Sequence, residues 1–171
     1  MLLSDRLKNL AEAGQLNPHR PALAEIQQHL GKAERVLGDA RRPENSLEGR
    51  FENANSAGHA LLMAALKMKG YRPSSEKGHR AILYQLLDQL VPGAAGAKDT
   101  LARVHNLRNR SEYDGDDIDV TQGLVDDLID AVTDVQEEVA VMFGSFKRAA
   151  LQAQNPSAPK TTPRSSGKKP G

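Results

Sequence analysis

The segment RVHNLRNRSEYDG, at residues 103–115, groups arginine, histidine and asparagine at a spacing that could do chemistry on a phosphate. On a helix that turns by about 100 degrees per residue, His105, Arg108 and Asn109 lie along one side. The forked donors of Arg108 suit a phosphate, although an arginine stays protonated and cannot act as a base. A histidine titrates near neutral pH, so His105 could serve as an acid–base group beside Arg108. The pattern indicates a polar strip that could hold a phosphate and move a proton.

Two interpretations of Arg108 and Asn109 stay open. They could bind RNA, or they could form a buried ion pair and cap network at a dimer seam, with Glu112 or Asp114 as the acceptor. Tyr113 follows Asn109 by four residues and stands beside the strip. Both interpretations predict that replacing Arg108 is harmful, so harm alone does not separate them.

Aliphatic residues predict the helices that would carry this strip. They recur at spacings of three and four, and no segment shows the sustained period-two alternation of a strand. The predicted fold is all-α, an antiparallel helical bundle. The predicted helices, five to six in number, cover residues 2–14, 21–38, 46–70, 76–91, 97–113 and 119–150.

Local residues predict where several helices begin and end. Ser4 is placed to cap the first helix. Pro21 opens the second helix, and Gly38 ends it. Pro92 and its following glycine end the fourth helix, and the segment YRPSSEKGH before that helix is predicted to be a loop.

Two helices carry packing predictions. The helix at 46–70 is rich in alanine, serine and glycine, which lets other helices approach closely, so it is predicted to be central. The last helix carries one apolar stripe that a chain of this size leaves only partly covered, which favours homodimerisation. That stripe consists of Val120, Leu124, Leu128, Ala131, Val135, Val139, Met142 and Phe146.

The composition divides the chain into a domain and a tail. Residues 1–150 are predicted to form one helical domain, with its core at about 45–150. Residues 151–171 are predicted to form a disordered basic tail, because PSAPKTTPRSSGKKPG has no large apolar residue to offset the entropy of ordering.

Charge is also unevenly distributed. Residues 1–111 carry a net charge of +6, residues 112–138 hold eleven acids and no base, and residues 139–171 hold six bases and no acid. The acidic block is either a solvated helix face or a surface that docks a basic partner, and it repels RNA.

Several function classes lack their motifs here. The chain has no cysteine, no Walker loop, no GxGxxG, no HExxH and no nucleophile elbow,. We therefore expect no metal site and no cofactor. The start, MLLSDRLKNL, lacks the pattern of a secretory leader, and no apolar run approaches membrane-spanning length. These features predict a soluble cytoplasmic protein without a membrane partner.

Three segments resemble the HEPN superfamily, a set of small prokaryotic helical bundles found in toxin–antitoxin and phage-defence systems. FENANSAGHALLMAALKMKGYRP is similar to the family's alanine-rich long helix, which ends in a Gly-Tyr-Arg turn. SEKGHRAILYQL is similar to the Gly-His opening of the following helix in one branch. LRNRSEYDG is similar to that branch's Arg-Asn motif with a downstream tyrosine. Together the likeness covers residues 45–145.

The resemblance implies a homodimer in which two Arg-Asn motifs meet in a shared cleft, where active members cut RNA without a metal. Those members place a histidine four to six residues after the arginine. Here Arg108 takes the arginine position, Asn109 the polar position after it, and Tyr113 stands where the histidine is expected. The candidate catalytic residues are Arg108, Asn109, Tyr113 and His105, and the candidate RNA- or phosphate-binding residues are Arg108, Arg110, His79 and Arg80.

Each histidine also has a structural interpretation. A tyrosine with an ordinary pKa of about 10 is almost fully protonated at pH 7, so His105 or His79 would have to replace the missing histidine. Otherwise His105 is a hydrogen-bonded interface residue, and His79 is a cap beside Gly78.

Three hypotheses about function follow. The first is a HEPN-like RNA-directed toxin or defence effector, with metal-independent endoribonuclease activity. The second is a non-catalytic HEPN dimer that acts as a binding or regulatory subunit for a protein such as a nucleotidyltransferase. The third is a generic helical adaptor. Tyr113 and the acidic block favour the second.

Overall fold

The computed structural model describes residues 2–74, 79–114 and 118–154, and the side chains of residues 79–80 and 111–114 lie outside that description. The described chain is mostly helical, which confirms the predicted all-α class and the helical bundle. Its elements, in chain order, are α1 (Leu3–Glu12), β1 (Leu16–Pro18), α2 (Leu23–Ala40), α3 (Leu47–Met68), β2 (Tyr71–Pro73), α4 (His79–Gln85), α5 (Leu87–Leu90), a 3-10 helix (Pro92–Ala97), α6 (Lys98–Asp114) and α7 (Gln122–Gln154).

Helix α3 is the central element, as its small residues predict. It packs most extensively against α2 and α7, and more than half of its residues are buried. A Cβ atom at Gly58 would lie 3.2 Å from Cγ2 of Val132 on α7 and 3.6 Å from Cδ2 of Leu101 on α6. The missing side chain at this glycine therefore lets both helices pack close to the α3 backbone.

We expect Gly58→Val to lower the free energy of unfolding by about 1–3 kcal/mol, because its extra methyl groups overpack this contact. Gly38→Ala is the matched control, since Gly38 is exposed in α2 and a Cβ there would meet nothing within 4 Å. It should raise stability by about 0.5 kcal/mol through helix propensity. Urea unfolding followed by circular dichroism measures both. Equal effects of the two variants would contradict close packing at Gly58.

The predicted ends of the first two helices are partly wrong. Leu2, and not Ser4, is the N-cap of α1. Helix α2 begins at Leu23 after an extended Ala22, so Pro21 lies outside it. It also continues through Gly38 to Ala40. The helix continues past Gly38 because two side chains from later in the sequence stabilise its end. Asn45 and Arg50 donate hydrogen bonds to the terminal carbonyls of Asp39 and Ala40, at 2.8 Å each,.

A two-stranded antiparallel ladder was not predicted. Strands β1 and β2 pair Leu16 with Pro73, Asn17 with Arg72 and Pro18 with Tyr71, so the predicted YRPSSEKGH loop begins as a strand. Gly14 and Gly70 precede the strands with φ of +72° and +89°, conformations that favour glycine and turn the chain out of α1 and α3,. Three-residue strands that each contain a proline are too short to show alternation.

The predicted fourth helix is divided in the structure. Helix α4 ends at Gln85, Leu86 takes φ −95° and ψ −5°, and α5 follows. Pro92 then occupies the first turn of the 3-10 helix, where its missing N–H costs nothing,. The predicted start of this helix, at residue 76, lies outside the described residues.

Helix α7 runs from Gln122 to Gln154, and the hydroxyl of Thr121 accepts the N–H of Leu124 at its start. Of its predicted stripe, Leu124, Leu128, Ala131, Val135 and Val139 are buried, and Val120, Met142 and Phe146 are partly buried against the core. The predicted tail at 151–171 begins inside this helix, because residues 151–154 are still helical, and residues 155–171 lie outside the described residues. None of the helices in the described ranges is long and apolar enough to cross a membrane.

Candidate functional site

A polar cluster lies where α3, α4 and α6 meet. Helix α6 turns the predicted strip toward α3, whose polar residues at 52 and 55 are one helical turn apart. Helix α4 adds a tyrosine between them. The polar cluster, as we define it, consists of Glu52, Asn55, Tyr84, His105, Arg108 and Asn109.

Arg108 is held against α3. Its Nη2 atom lies 3.2 Å from Oε2 of Glu52, and its side chain is 23% exposed. The Glu52 side chain is 53% exposed. The predicted acceptors, Glu112 and Asp114, have side chains outside the described residues, so their contacts with Arg108 stay predictions. A pair this exposed contributes about 0–1 kcal/mol, so it positions the guanidinium more than it stabilises the fold.

His105 is fixed by a ring on one side and an amide on the other. Its imidazole stacks on Tyr84 with ring centroids 4.8 Å apart and planes inclined by 24°. Its Nε2 lies 3.1 Å from Nδ2 of Asn109. Because an amide nitrogen only donates, Nε2 of His105 is the acceptor in this arrangement,. The buried hydroxyl of Tyr84 donates to Oδ1 of Asn55 over 3.3 Å.

The structure does not bring Arg110 to this cluster. Arg110 is exposed and lines a shallow groove of about 380 Å³ with Asp99, Arg103 and Asn106, on another face of α6. Arg103 in this groove lies 3.4 Å from Asp127 of α7. The groove therefore carries both signs of charge, and Arg110 would reach a phosphate there independently of Arg108.

Three predicted site residues cannot be placed by their side chains. Tyr113 lies in α6, four residues after Asn109, and His79 and Arg80 open α4. Their side chains lie outside the described residues, so their predicted roles stay predictions.

Sequence reasoning missed three members of the cluster. Glu52, Asn55 and Tyr84 contact the predicted residues across helices, and no local motif marks them. One pattern could have found the first two, because polar residues at 52, 55 and 59 interrupt an alanine-rich helix at spacings of three and four,.

A second charged cluster joins the start of α2 to the end of α3. Glu25 lies 3.0 Å from Nε2 of His19 and 2.5 Å from Nζ of Lys67, and Lys67 also lies 2.9 Å from Nε2 of His29. The hydrogen bond from Lys67, followed by that from His19, lowers the pKa of Glu25 against the opposing effect of burial. Burial, and then the charge of Lys67, lowers the pKa of His29 below its ordinary 6.5,.

The lowered pKa of His29 predicts a loss of stability as the pH falls below about 6.5. In that window the unfolded chain binds a proton at His29 that the folded chain excludes, so the free energy of unfolding rises with pH,. His29→Gln keeps an acceptor for Lys67 but cannot titrate. Melting temperatures measured from pH 7.5 to 5.5 should fall less steeply for this variant than for the parent chain. If the two curves of melting temperature against pH are parallel, His29 is not the source of the pH dependence.

Comparisons with protein-family models, with curated proteins and with solved structures find no match to this chain. The observations therefore define a helical bundle with a polar cluster between α3, α4 and α6. The likeness to HEPN proteins stays a prediction from the three sequence segments.

Proposed function

We propose that the chain is a HEPN-like RNA-directed protein of a toxin–antitoxin or phage-defence system, and that Arg108 binds the RNA phosphate. One observation supports this above the others. The guanidinium of Arg108 is fixed on a helix, remains partly exposed and already faces an anion, the carboxylate of Glu52. A phosphate oxygen is recognised by the same forked donors as a carboxylate oxygen.

RNA would bind by displacing Glu52. The Glu52 side chain is half-exposed, so it can turn into water without burying a charge. The pair that is lost contributes about 0–1 kcal/mol, whereas a hydrogen bond to a charged group contributes about 1.5–3 kcal/mol. A phosphate that accepts both guanidinium donors therefore competes well with the carboxylate.

RNA cleavage, unlike RNA binding, also requires an acid–base group, and His105 is the candidate within the polar cluster. Metal-independent cleavage needs a base for the 2′ hydroxyl, a donor for the phosphorane and an acid for the leaving oxygen. Arg108 supplies the donor, and the imidazole of His105 is the candidate base. However, Nε2 of His105 is engaged by Asn109, so it becomes a base only when that amide moves. Tyr113 stands where active members have their histidine, and a tyrosine with an ordinary pKa does not replace it, so His79 or His105 itself would have to supply the acid.

The engagement of His105 and Arg108 favours a second candidate, a non-catalytic subunit. In this arrangement both groups have partners within the chain. In addition, Asp130, Asp134 and Glu137 are exposed on α7, where a basic protein such as a nucleotidyltransferase could dock,.

Incubation of the purified chain with cellular RNA in EDTA tests these candidates. Fragments that appear with the parent chain and with Arg103→Ala, but not with Arg108→Ala, support metal-independent cleavage at the cluster. A shift of RNA mobility without fragments supports RNA binding alone. If neither appears, RNA is not the target, and the second candidate is tested by titrating a basic protein partner.

A further inference from the structure

Helix α7 continues beyond the part of the bundle that covers it. Its 33 residues span about 50 Å, against about 33 Å for the 22 residues of α3,. Val139 is its last buried residue. Farther on, Val141 and Leu151 are 69% and 49% exposed, and Leu2 is the only other exposed large apolar side chain in the described ranges.

Both exposed side chains belong to one stripe on the outside of α7. Its members recur at alternating spacings of four and three residues, which is the spacing of a coiled-coil seam. All are exposed except the glycine, which is half-buried. The outer stripe of α7, as we define it, consists of Asp130, Asp134, Glu137, Val141, Gly144, Arg148 and Leu151.

Charges along the outer stripe are ordered. The three acids precede Val141, and Arg148 follows it. A parallel pairing of two copies would place each acid beside the same acid and Arg148 beside Arg148. An antiparallel pairing would place each Arg148 against Asp134 of the other copy, because both lie seven residues from Val141. Opposite charges that face each other across a helix pair set its orientation.

We infer that the outer stripe of α7 is an interface with a second copy of this chain, paired antiparallel about a twofold axis at Val141. The two Val141 side chains meet at the axis, and Gly144 lets the helices approach there. One helix per copy makes a contact at the small end of stable interfaces, so the dimer dissociates on dilution. None of these residues belongs to the polar cluster, so the inference does not rest on RNA binding. The three acids of the stripe are those of the second candidate's docking surface, and a second copy would occupy them instead of a basic protein.

Charge reversal at the two ends of the stripe tests the pairing. Arg148→Asp and Asp134→Arg should each raise the dimer dissociation constant at least tenfold, measured by sedimentation velocity over a concentration series. An equimolar mixture of the two variants should dimerise again, because every facing pair then has opposite charges. Lys147→Asp is the matched control, since Lys147 is exposed one residue away but off the stripe. It should leave the constant within about twofold, because off-stripe charges contribute little.

An introduced cysteine tests the register of the helix pair, because the chain has no cysteine of its own. Val141→Cys should cross-link to itself under mild oxidation or with a short bis-maleimide, whereas Leu151→Cys should not. Cross-linking at both positions would indicate a parallel pair and overturn the inference. A parent chain that stays monomeric at high concentration, or a dimer that both charge reversals leave intact, would overturn it as well.

Discussion

Arg108→Ala is expected to weaken RNA binding by about tenfold to a hundredfold while changing the free energy of unfolding by less than about 1 kcal/mol. The first effect follows because a guanidinium–phosphate contact contributes about 1.5–3 kcal/mol. The second follows because the Arg108 side chain is partly exposed and its ion pair with the half-exposed Glu52 contributes about 0–1 kcal/mol,. Fluorescence anisotropy with a labelled RNA and thermal melting of the same samples measure the two quantities.

Glu52→Gln should have the opposite effect on the affinity for RNA in the same assay. It removes the carboxylate that competes with phosphate for Arg108, so RNA binding should tighten by about twofold to fivefold. Arg103→Ala is the matched control, because Arg103 lies on the same helix and pairs with an exposed carboxylate, Asp127, but lies outside the polar cluster. If Arg108→Ala and Glu52→Gln both lower the melting temperature and neither changes the affinity for RNA, the ion pair between Arg108 and Glu52 is structural.

The helices that carry the site could be predicted because their signals are local. Helix α6 was predicted at 97–113 and is found at Lys98–Asp114, since its apolar line and polar strip are both visible within one segment. The central place of α3 was predicted for the same reason, from small residues within that helix alone.

The contacts of the site could not be predicted, because they depend on how helices pack. The ion pair of Arg108 with Glu52, 56 residues earlier in the chain, was not among the contacts predicted for it. The same holds for Tyr84, whose ring supports His105 only because α4 packs beside α6. The polar spacing within α3 singles out residue 52, but nothing in the sequence pairs it with Arg108 on another helix.

The acidic block is divided between internal and exposed roles. Asp126 and Asp127 at its centre lie 3.5 Å and 3.4 Å from Arg50 and Arg103, so they neutralise bases of α3 and α6. The acids of the outer stripe instead face solvent in a single chain. On one side of α7 the acids therefore pair with bases of the bundle, and on the other side they are open to solvent. That the outer side docks a partner stays a prediction.

Arg50→Met is expected to be the most destabilising of these substitutions, by about 2–3 kcal/mol. Arg50 is 8% exposed, and its Nε donates to the carbonyl of Ala40 over 2.8 Å while Nη1 donates to Gln122 over 3.2 Å. Ala40 is fully buried, so methionine fills the volume but leaves the last carbonyl of α2 without a donor,. For a chain of this length the melting temperature should fall by about 4–12 °C.

Arg41→Ala provides the comparison that separates burial from charge. Arg41 also joins the end of α2 to α7, donating to the hydroxyl of Thr133 over 2.8 Å, but it is exposed. Its replacement should cost less than about 0.5 kcal/mol, because water can take over a surface hydrogen bond. Urea unfolding should therefore show that Arg50→Met lowers the free energy of unfolding several times more than Arg41→Ala does. A similar loss from each would mean that the link between α2 and α7, and not the buried carbonyl, carries the stability.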